Sequence, residues 1–377
     1  MPKVIHHPRY ASYDLGPGHP FNPVRVEMVL DLLAELGVAP DTVAPQPVTP
    51  EELLEVHDED YIRAVEAAGA GEAVSDAAGF GLGTPDNPIV TGMAEAARWI
   101  TGGTVLGARV VAGGAADKAL QLGGGFHHAH RRLASGFCLY NDLALAIRTL
   151  TRERLRVAYV DIDVHHGDGV QDILYGDENV LTLSLHESGE YLFPGSGWLH
   201  ELGHSMGRGL KLNLPLEPFT EGESFLAALS EVGEAALEFF RPDVMVVQAG
   251  ADAHYLDPLA DLMLTTRDFE RAYRLLLDLA DRFAHGRVLF TLGGGYALSS
   301  TPRVWTILAL VLLGAEVPER LPEGWRQRWQ ERLDITLPAT LHDPEVAFDA
   351  IPRRAEIEGH NRQLVQRLLD ATAPLWW

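Results

Sequence analysis

Five short apolar runs recur through the middle of the chain, and helix-like stretches separate them. The runs cover residues 119–122, 157–164, 180–185, 244–247 and 288–292. Several are continuous rather than alternating, which is typical of strands that are covered on both faces of a parallel sheet. Helical patterns fill 141–150, 222–240 and 266–283. Strands and helices in alternation predict an α/β fold with a mostly parallel sheet.

The flanking parts of the chain are mainly helical. Helices are predicted from about 22 to 36, from 49 onward and over 93–111, and the 315–377 stretch has a helical pattern. The sequence has no repeat and no long linker, so we expect a single domain over 1–377, with 315–377 as a helical C-terminal extension packed on it. The tryptophans of that extension are expected to make core or oligomer contacts; they are Trp325, Trp329, Trp376 and Trp377.

Charge and composition exclude several functional classes. The formal net charge of −23 repels nucleic acid and anionic membranes, so neither is expected as a partner. The apolar stretch 307–313 is too short to span a bilayer, and the N-terminal residues lack the pattern of a secretory signal. A single cysteine, Cys138, excludes an intramolecular disulfide and a multi-cysteine zinc site. These features predict a cytoplasmic location.

The densest polar cluster lies in the run VDIDVHHGDG. Ligands bind beyond the carboxyl ends of strands in open α/β sheets, so polar side chains at these ends are candidate site residues. On the predicted strand Asp161, Asp163 and His165 share one face, because side chains alternate along a strand. Buried acids are costly unless they are neutralised, and a divalent cation held by Asp163 and His165 would do this. A satisfied hydrogen-bond network is the alternative.

A second cluster, GGGFHHAH, follows the run 119–122. Glycines allow a sharp turn and leave space for a substrate. The adjacent His127 and His128 suit proton transfer, because the ordinary pKa of histidine is close to neutral pH. A solvated histidine-rich loop or an adventitious metal patch would give the same pattern.

Two further clusters follow the last two runs. Asp252, in QAGAD, is a candidate third metal ligand, although a helix N-cap would explain it as well. Tyr296, in GGGY, is placed to donate a hydrogen bond to a polarised carbonyl, or simply packs against the glycine turn. Parallel strands bring all four clusters to one rim. Three protein ligands with an open position are typical of a catalytic metal.

Several long motifs, taken in order, resemble the histone deacetylase superfamily, and within it the bacterial acetoin-utilisation-type deacetylases. They are GGGFHHAH with ASGFCLYND, VDIDVHHGDGVQD, SLHESGEYLFPGSG, GAD and GGGY, and the likeness runs from about residue 18 to 305. The resemblance implies one open domain with a central eight-stranded, mostly parallel sheet, as in arginase. It also implies a metal-dependent amidohydrolase that uses Zn²⁺ or Fe²⁺ to remove acetyl groups from lysine side chains or small amines.

The resemblance assigns roles to the residues that match its motifs. Those at the reacting centre are Asp163, His165 and Asp252 as metal ligands, His127 and His128 as the tandem histidines, Asp161 and Asp168 as their partners, and Tyr296 as the transition-state donor. Those around the substrate are Phe137, Phe193, Gly136 and Leu259 in the acyl-lysine tunnel, Glu95 at the rim and Arg25 in an inner acetate channel. A structural K⁺, or Na⁺, would take Asp161, Asp163, Ser184 and the carbonyls of His165 and Leu185.

The expected substrate is an acetylated protein, a metabolic enzyme rather than a histone, or a small acetylated amine. An acetylpolyamine amidohydrolase is the nearest alternative, but the sequence shows no long inserted loop of the kind such enzymes carry. An arginase-like dinuclear manganese hydrolase would need D-x-x-x-D spacing where this chain has HHGDG. A non-catalytic acyl-lysine binder would have no need of the complete set of ligands, histidines and tyrosine. The sequence does not predict an oligomeric state.

Overall fold

The computed structural model describes residues 1–376, and within them eight parallel strands form one sheet; Trp377 lies outside the described residues. The strands are β1 Lys3–Ile5, β2 Thr42–Val43, β3 Lys118–Gln121, β4 Val157–Asp161, β5 Val180–Glu187, β6 Lys211–Leu216, β7 Val244–Gln248 and β8 Val288–Thr291. Their order across the sheet is β2-β1-β3-β8-β7-β4-β5-β6, and every neighbouring pair is parallel. The predicted α/β fold and its eight-stranded parallel sheet are confirmed.

Helices cover both faces of this sheet. They are α1 Val24–Glu35, α2 Pro50–Leu53, α3 Glu59–Gly69, α4 Met93–Ala112, α5 Asp142–Arg152, α6 Asp168–Ile173, α7 Gly222–Phe240, α8 Thr266–Phe283, α9 Thr301–Leu313, α10 Glu323–Leu333 and α11 Arg354–Trp376. On β4, Val157 and Tyr159 join the core beneath α4 and α5, whereas Ala158 and Val160 join the core beneath α7, α8 and α9. Among residues 1–376, no helix has the length and apolarity needed to cross a membrane.

Three strands were not predicted from the sequence. The strands β1 and β2 have only three and two residues, which is too short for a periodic pattern to appear. The third, β6, has the sequence KLNLPL and lies at the edge of the sheet, where its proline is tolerated. The predicted run 157–164 was also too long, because β4 ends at Asp161.

A row of polar side chains marks the carboxyl end of the sheet. In register, Gln121 of β3 pairs with Thr291 of β8, Thr291 with Gln248 of β7, and Gln248 with Asp161 of β4, which pairs in turn with Ser184 of β5. All five residues are buried. The polar clusters found in the sequence begin directly after this row, so the sheet delivers them to a common rim.

Buried tryptophans attach the C-terminal helices to α1 and to the loop before β6. Trp325 of α10 donates from Nε1 to the carbonyl of Met28 at 3.0 Å. Trp329 donates to Asp31 Oδ2 at 2.7 Å, and Trp376 of α11 donates to the carbonyl of Gly209 at 2.8 Å. These three tryptophans make core contacts within the chain.

Candidate metal centre and active site

Three side chains converge just beyond the ends of β4 and β7. Asp163 and His165 follow β4, Asp252 follows β7, and their ligand atoms all lie within 4.8 Å of one another. His165 Nδ1 is 3.1 Å from Asp163 Oδ1 and 3.2 Å from Asp252 Oδ2. All three residues are buried. One imidazole and two carboxylates are a donor set that suits Zn²⁺ or another divalent cation.

The electrostatics of this cluster also favour a cation. Burial alone would lower the pKa of His165, but the two carboxylates outweigh burial and raise it to about 10. Burial and the neighbouring charge of Asp163 raise the pKa of Asp252 to about 7. A cation bound between the two acids would offset the cost of burying both as carboxylates.

The segment that carries Asp163 and His165 is a hydrogen-bonded turn and not a strand. The prediction that these residues share one face of a strand with Asp161 is therefore wrong. Asp161 Oδ1 accepts from the backbone N–H of Asp163 at 3.1 Å, and Asp163 Oδ1 accepts from that of His165 at 3.0 Å. Asp252 Oδ1 accepts from the N–H of Val164 at 2.9 Å. Asp163, His165 and Asp252 still converge, because these hydrogen bonds from side chains to the backbone fix the conformation of the turn.

The glycines of the GGGY turn allow the backbone to approach the two carboxylates. A Cβ added to Gly294 would lie 1.9 Å from Asp252 Oδ2 and 2.7 Å from Asp163 Oδ2. The backbone N–H of Gly294 donates to Asp163 Oδ2 at 2.9 Å, and Gln248 Nε2 donates to the same oxygen at 2.7 Å. Only glycine fits here, since any side chain would displace the ligand oxygens.

The tandem histidines each have a carboxylate partner, which is fully buried for Asp161 and partly buried for Asp168. His127 Nδ1 donates to Asp161 Oδ2 at 2.9 Å, and His128 Nδ1 donates to Asp168 Oδ1 at 2.7 Å. Their ring centroids are 3.9 Å apart. Both pairings match those implied by the resemblance, and they leave the Nε2 atom of each ring for chemistry.

The neighbouring groups give the two histidines different pKa values. Burial lowers the pKa of His127, but Asp161 and Asp163 outweigh burial and raise it to about 9. For His128, burial and the charge of His127 together lower the pKa to about 4, although Asp168 opposes them. Adjacent groups with such different pKa values are typical of an acid and a base in one site.

Two buried acids support the site in roles that the sequence did not predict. Asp142, at the start of α5, accepts from the backbone N–H groups of Gly125 and Phe126 at 3.0 and 2.7 Å, and so holds the loop before the tandem histidines. Asp257 Oδ2 accepts from the backbone N–H of Tyr296 at 2.7 Å. Asp142 lies in the quoted ASGFCLYND motif, but nothing local in the sequence indicated its partners.

Aromatic rings surround the approach to the centre. The ring of Phe193 lies 5.0 Å from that of His128 and is partly exposed, and the ring of Phe137 lies 5.6 Å from that of Tyr296. Phe137 has φ 69°, a left-handed conformation that is disfavoured for a residue with a side chain. A Cβ added to the preceding Gly136 would lie 2.3 Å from His128 Cδ2.

Arg25 lies behind Tyr296 and is buried. Its guanidinium donates to the carbonyls of Gly293 and Gly295, so it fixes the turn that carries the tyrosine. It also lines a cavity of about 460 Å³ together with Gly293 and Trp305. Burial raises the pKa of the Tyr296 hydroxyl well above its usual range, so this hydroxyl is a donor at neutral pH.

Glu95, the predicted rim residue, has an arginine partner. It lies in the first turn of α4, where its half-exposed carboxylate accepts from Arg9 Nη1 at 2.9 Å. Asp86 is connected to the predicted tunnel aromatics through His19, because its backbone carbonyl is 3.2 Å from His19 Nε2. The ring of His19 in turn lies 4.6 Å from that of Phe137. The rim role of Glu95 stays a prediction.

The remaining predicted residues follow β7 or belong to β5, next to residues of the candidate metal centre. Leu259 follows Asp257 in the loop after β7, and its backbone N–H donates to Asp257 Oδ1 at 3.1 Å. Ser184 pairs in register with Asp161, and its Oγ is 2.9 Å from His186 Nδ1. Leu185 is the next residue of β5 and is buried. Hydroxyl, carboxylate and carbonyl oxygens are suitable ligands for an alkali cation. The potassium site itself stays a prediction.

Sequence comparisons place the chain among known deacetylase relatives. A family model described as a histone deacetylase domain matches residues 19–312. The acetoin utilization protein AcuC of Bacillus subtilis is 42% identical over 372 residues, which cover 97% of this chain and 96% of that protein. The protein of the same name from Staphylococcus xylosus is 37% identical and covers 95% of each chain.

Solved structures show the same architecture. The crystal structure of an HDAC homologue complexed with SAHA superimposes with a TM-score of 0.87 at 30% identity, covering 97% of this chain and 100% of that one. An HDAC homologue from Aquifex aeolicus gives a TM-score of 0.85, also at 30% identity, over 96% and 100% of the two chains.

Proposed function

The chain belongs to the histone deacetylase family, and on that premise we propose that it hydrolyses the acetyl amide of acetyl-lysine side chains in proteins. The observation that carries the proposal is the convergence of Asp163, His165 and Asp252 beside two histidine–carboxylate pairs. These three ligands would hold Zn²⁺. When bound, the ion lowers the pKa of a coordinated water to about 7 and polarises the amide carbonyl.

His128 is the proposed general base. Its Nδ1–H is committed to Asp168, so the unprotonated Nε2 atom is the one that takes a proton from the attacking water. His127, held by Asp161, is proposed to carry positive charge beside the reacting carbonyl and to deliver a proton to the leaving lysine nitrogen. The products are acetate and a free amine.

Tyr296 and the aromatic rings act on the substrate. The neutral hydroxyl of Tyr296 donates a hydrogen bond to the oxyanion that develops on the amide carbonyl. Phe137 and Phe193 enclose the uncharged aliphatic part of acetyl-lysine, as Gly136 and Leu259 do in the proposed tunnel. An aromatic passage favours the acetylated side chain over free lysine, because the ammonium charge loses its hydration there.

The identity of the ions is part of the proposal. Zinc is the proposed catalytic ion and ferrous iron is the alternative. Potassium, or sodium in its place, is proposed at the side chains of Asp161, Asp163 and Ser184, with the carbonyls of His165 and Leu185. Both proposals rest on the donor atoms present and on the family.

The proposed function is tested by stripping and restoring the metal. The purified protein is treated with a chelator and then titrated with Zn²⁺, or with Fe²⁺ without oxygen, while acetate release from an acetyl-lysine peptide is followed. We expect activity to disappear and to return at one ion per chain. Asp252→Asn is expected to be inactive. Asp349→Asn is the control and is expected to keep full activity, because Asp349 is exposed and is not one of the proposed site residues.

Three outcomes would contradict the proposal. Full activity after exhaustive chelation would exclude a metal mechanism, and two ions per chain would favour a dinuclear hydrolase. Turnover of an acetylpolyamine with a much higher kcat/KM than any acetyl-lysine peptide would move the substrate to small amines.

A further inference from the structure

A buried polar cluster lies behind the loop that follows β7, outside the reacting centre. Asp343 Oδ2 accepts from His254 Nε2 at 2.9 Å and from the backbone N–H of Thr266 at 2.8 Å. Asp343 Oδ1 accepts from Arg303 Nη2 at 2.9 Å. All four residues are at most 4% exposed. A carboxylate with three donors and almost no contact with water fixes the elements that it joins.

The carboxylate belongs to the C-terminal segment between α10 and α11, beyond the residues 19–312 that match the family model. Two further hydrogen bonds lock that segment to the domain. The N–H of Asp343 donates to Thr266 Oγ1 at 2.7 Å, and Arg303 Nη1 donates to the carbonyl of Leu341 at 2.9 Å. Asp343 is therefore held from both its backbone and its side chain.

His254 connects this carboxylate to the centre. It lies two residues after the metal-ligand candidate Asp252, and its Nδ1 accepts from the backbone N–H of Leu256 at 3.1 Å. With Nε2 donating to Asp343 and Nδ1 accepting, the ring is neutral and has one defined tautomer. The loop then reaches Asp257, which holds the backbone of Tyr296 at 2.7 Å. One short loop thus carries a metal ligand at one end and a support for the tyrosine at the other, with His254 between them.

We propose that Asp343 is a positioning residue, which acts through His254 to hold Asp252 and Tyr296 in their places at the centre. The inference rests on the proposed function, since it assigns Asp252 to a metal ion. It gives the C-terminal segment a role in the site, although Asp343 does not touch the reacting atoms. Partners that orient metal ligands typically contribute about 10- to 100-fold to metal affinity or activity.

Two substitutions at His254 separate its two contacts. Asn at this position keeps an acceptor near the place of Nδ1 but does not reach Asp343. Gln places an amide N–H near the place of Nε2 and so keeps the donor to Asp343, while it loses the acceptor for Leu256. His254→Asn and Asp343→Asn are expected to weaken Zn²⁺ binding by about tenfold or more, and His254→Gln is expected to stay within about threefold of the parent protein.

The test uses the full chain and two measurements. The Zn²⁺ dissociation constant is measured by competition with a chromophoric chelator, well below the melting temperature of each variant. Steady-state kinetics with an acetyl-lysine peptide then separates kcat from KM. We expect kcat to fall with KM nearly unchanged, because the aromatic walls are not displaced.

A destabilised control distinguishes positioning from general loss of stability. Leu368→Ala removes a fully buried side chain from α11 without touching Asp343, and is expected to lower the melting temperature while leaving the Zn²⁺ dissociation constant unchanged. Dissociation constants for His254→Asn and Asp343→Asn within twofold of the parent protein would overturn the inference, as would an equal loss in Leu368→Ala. Failure of the parent chain itself to bind Zn²⁺ would instead overturn the proposed function.

Discussion

Asp168 Oδ1 lies 2.7 Å from His128 Nδ1, and its second oxygen, Oδ2, lies 3.2 Å from His130 Nε2. One partly buried carboxylate therefore orients the proposed base and is itself held by a second imidazole. His130 was part of the GGGFHHAH pattern without an assigned role. The contact gives it one, as a support for Asp168.

Asp168→Asn tests this orientation. The amide can no longer accept as a carboxylate does, so the preferred tautomer of His128 is lost, and kcat is expected to fall by about 10²–10⁴-fold. Steady-state kinetics measures the effect. Asp172→Asn is the matched control, because Asp172 contacts only the outer side of His130 at 3.2 Å and is mostly exposed. Equal kcat values for the two variants would contradict the assignment.

Tyr296→Phe removes the hydroxyl that is proposed to donate to the oxyanion. Losing one such donor typically lowers kcat by about 10²–10³-fold, and metal content is expected to stay the same because Tyr296 is not a ligand. Kinetics and metal analysis of the same preparation check both parts. A kcat close to that of the parent protein would show that the tyrosine assignment is wrong.

Gly294→Ala tests the close approach of the backbone to the metal ligands. The added methyl would lie 1.9 Å from Asp252 Oδ2, so the carboxylate has to move and the bound metal per chain is expected to drop sharply. Gly324→Ala is the control, since the nearest atom to its Cβ would be 3.7 Å away and alanine favours a helix. Metal retention in Gly294→Ala would count against the geometry described for the centre.

Lys211 gives the fold a pH dependence away from the active site. It is buried in β6, donates to the carbonyl of Val180 at 2.5 Å, and burial lowers its pKa to about 7. The unfolded chain keeps this proton up to about pH 10.4. Between these pH values the unfolded state binds more protons than the folded state, so the free energy of unfolding rises with pH. The stability gained in this way is lost as the pH falls to 7.

Lys211→Met removes that contribution. The free energy of unfolding of the parent protein, relative to the variant, is expected to increase when the pH is raised from 6 to 9. Urea denaturation of both proteins at several pH values measures the difference. A difference that does not change with pH would mean that Lys211 keeps an ordinary pKa in the folded protein.

The sheet could be predicted from the sequence wherever a strand was long, apolar and buried on both faces. The runs before Asp161, Gln248 and Thr291 were recognised for this reason. The strands Lys3–Ile5 and Thr42–Val43 were missed because their pairing partners, rather than their own residues, make them strands. Tertiary context decides such short elements.

The proposed ligand set could be predicted from the sequence because each of its residues follows a strand whose end is set by the parallel sheet. The residues that support the ligands could not be predicted in this way. His254 and Asp343 are 89 residues apart, and neither has a local pattern that indicates the other. The contact of Glu95 with Arg9, 86 residues earlier in the chain, likewise had no local pattern that indicated it.

The folded chain extends beyond the region of family likeness, 19–312, at both ends. The strand Lys3–Ile5 lies before it and joins Thr42–Val43 to the rest of the sheet, and Tyr13 donates to the carbonyl of Phe137 at 2.8 Å. Asp343 lies after it. A fragment cut at the limits of resemblance would keep every proposed ligand and still lack the parts that hold them, so its inactivity would say nothing about the chemistry of the whole enzyme.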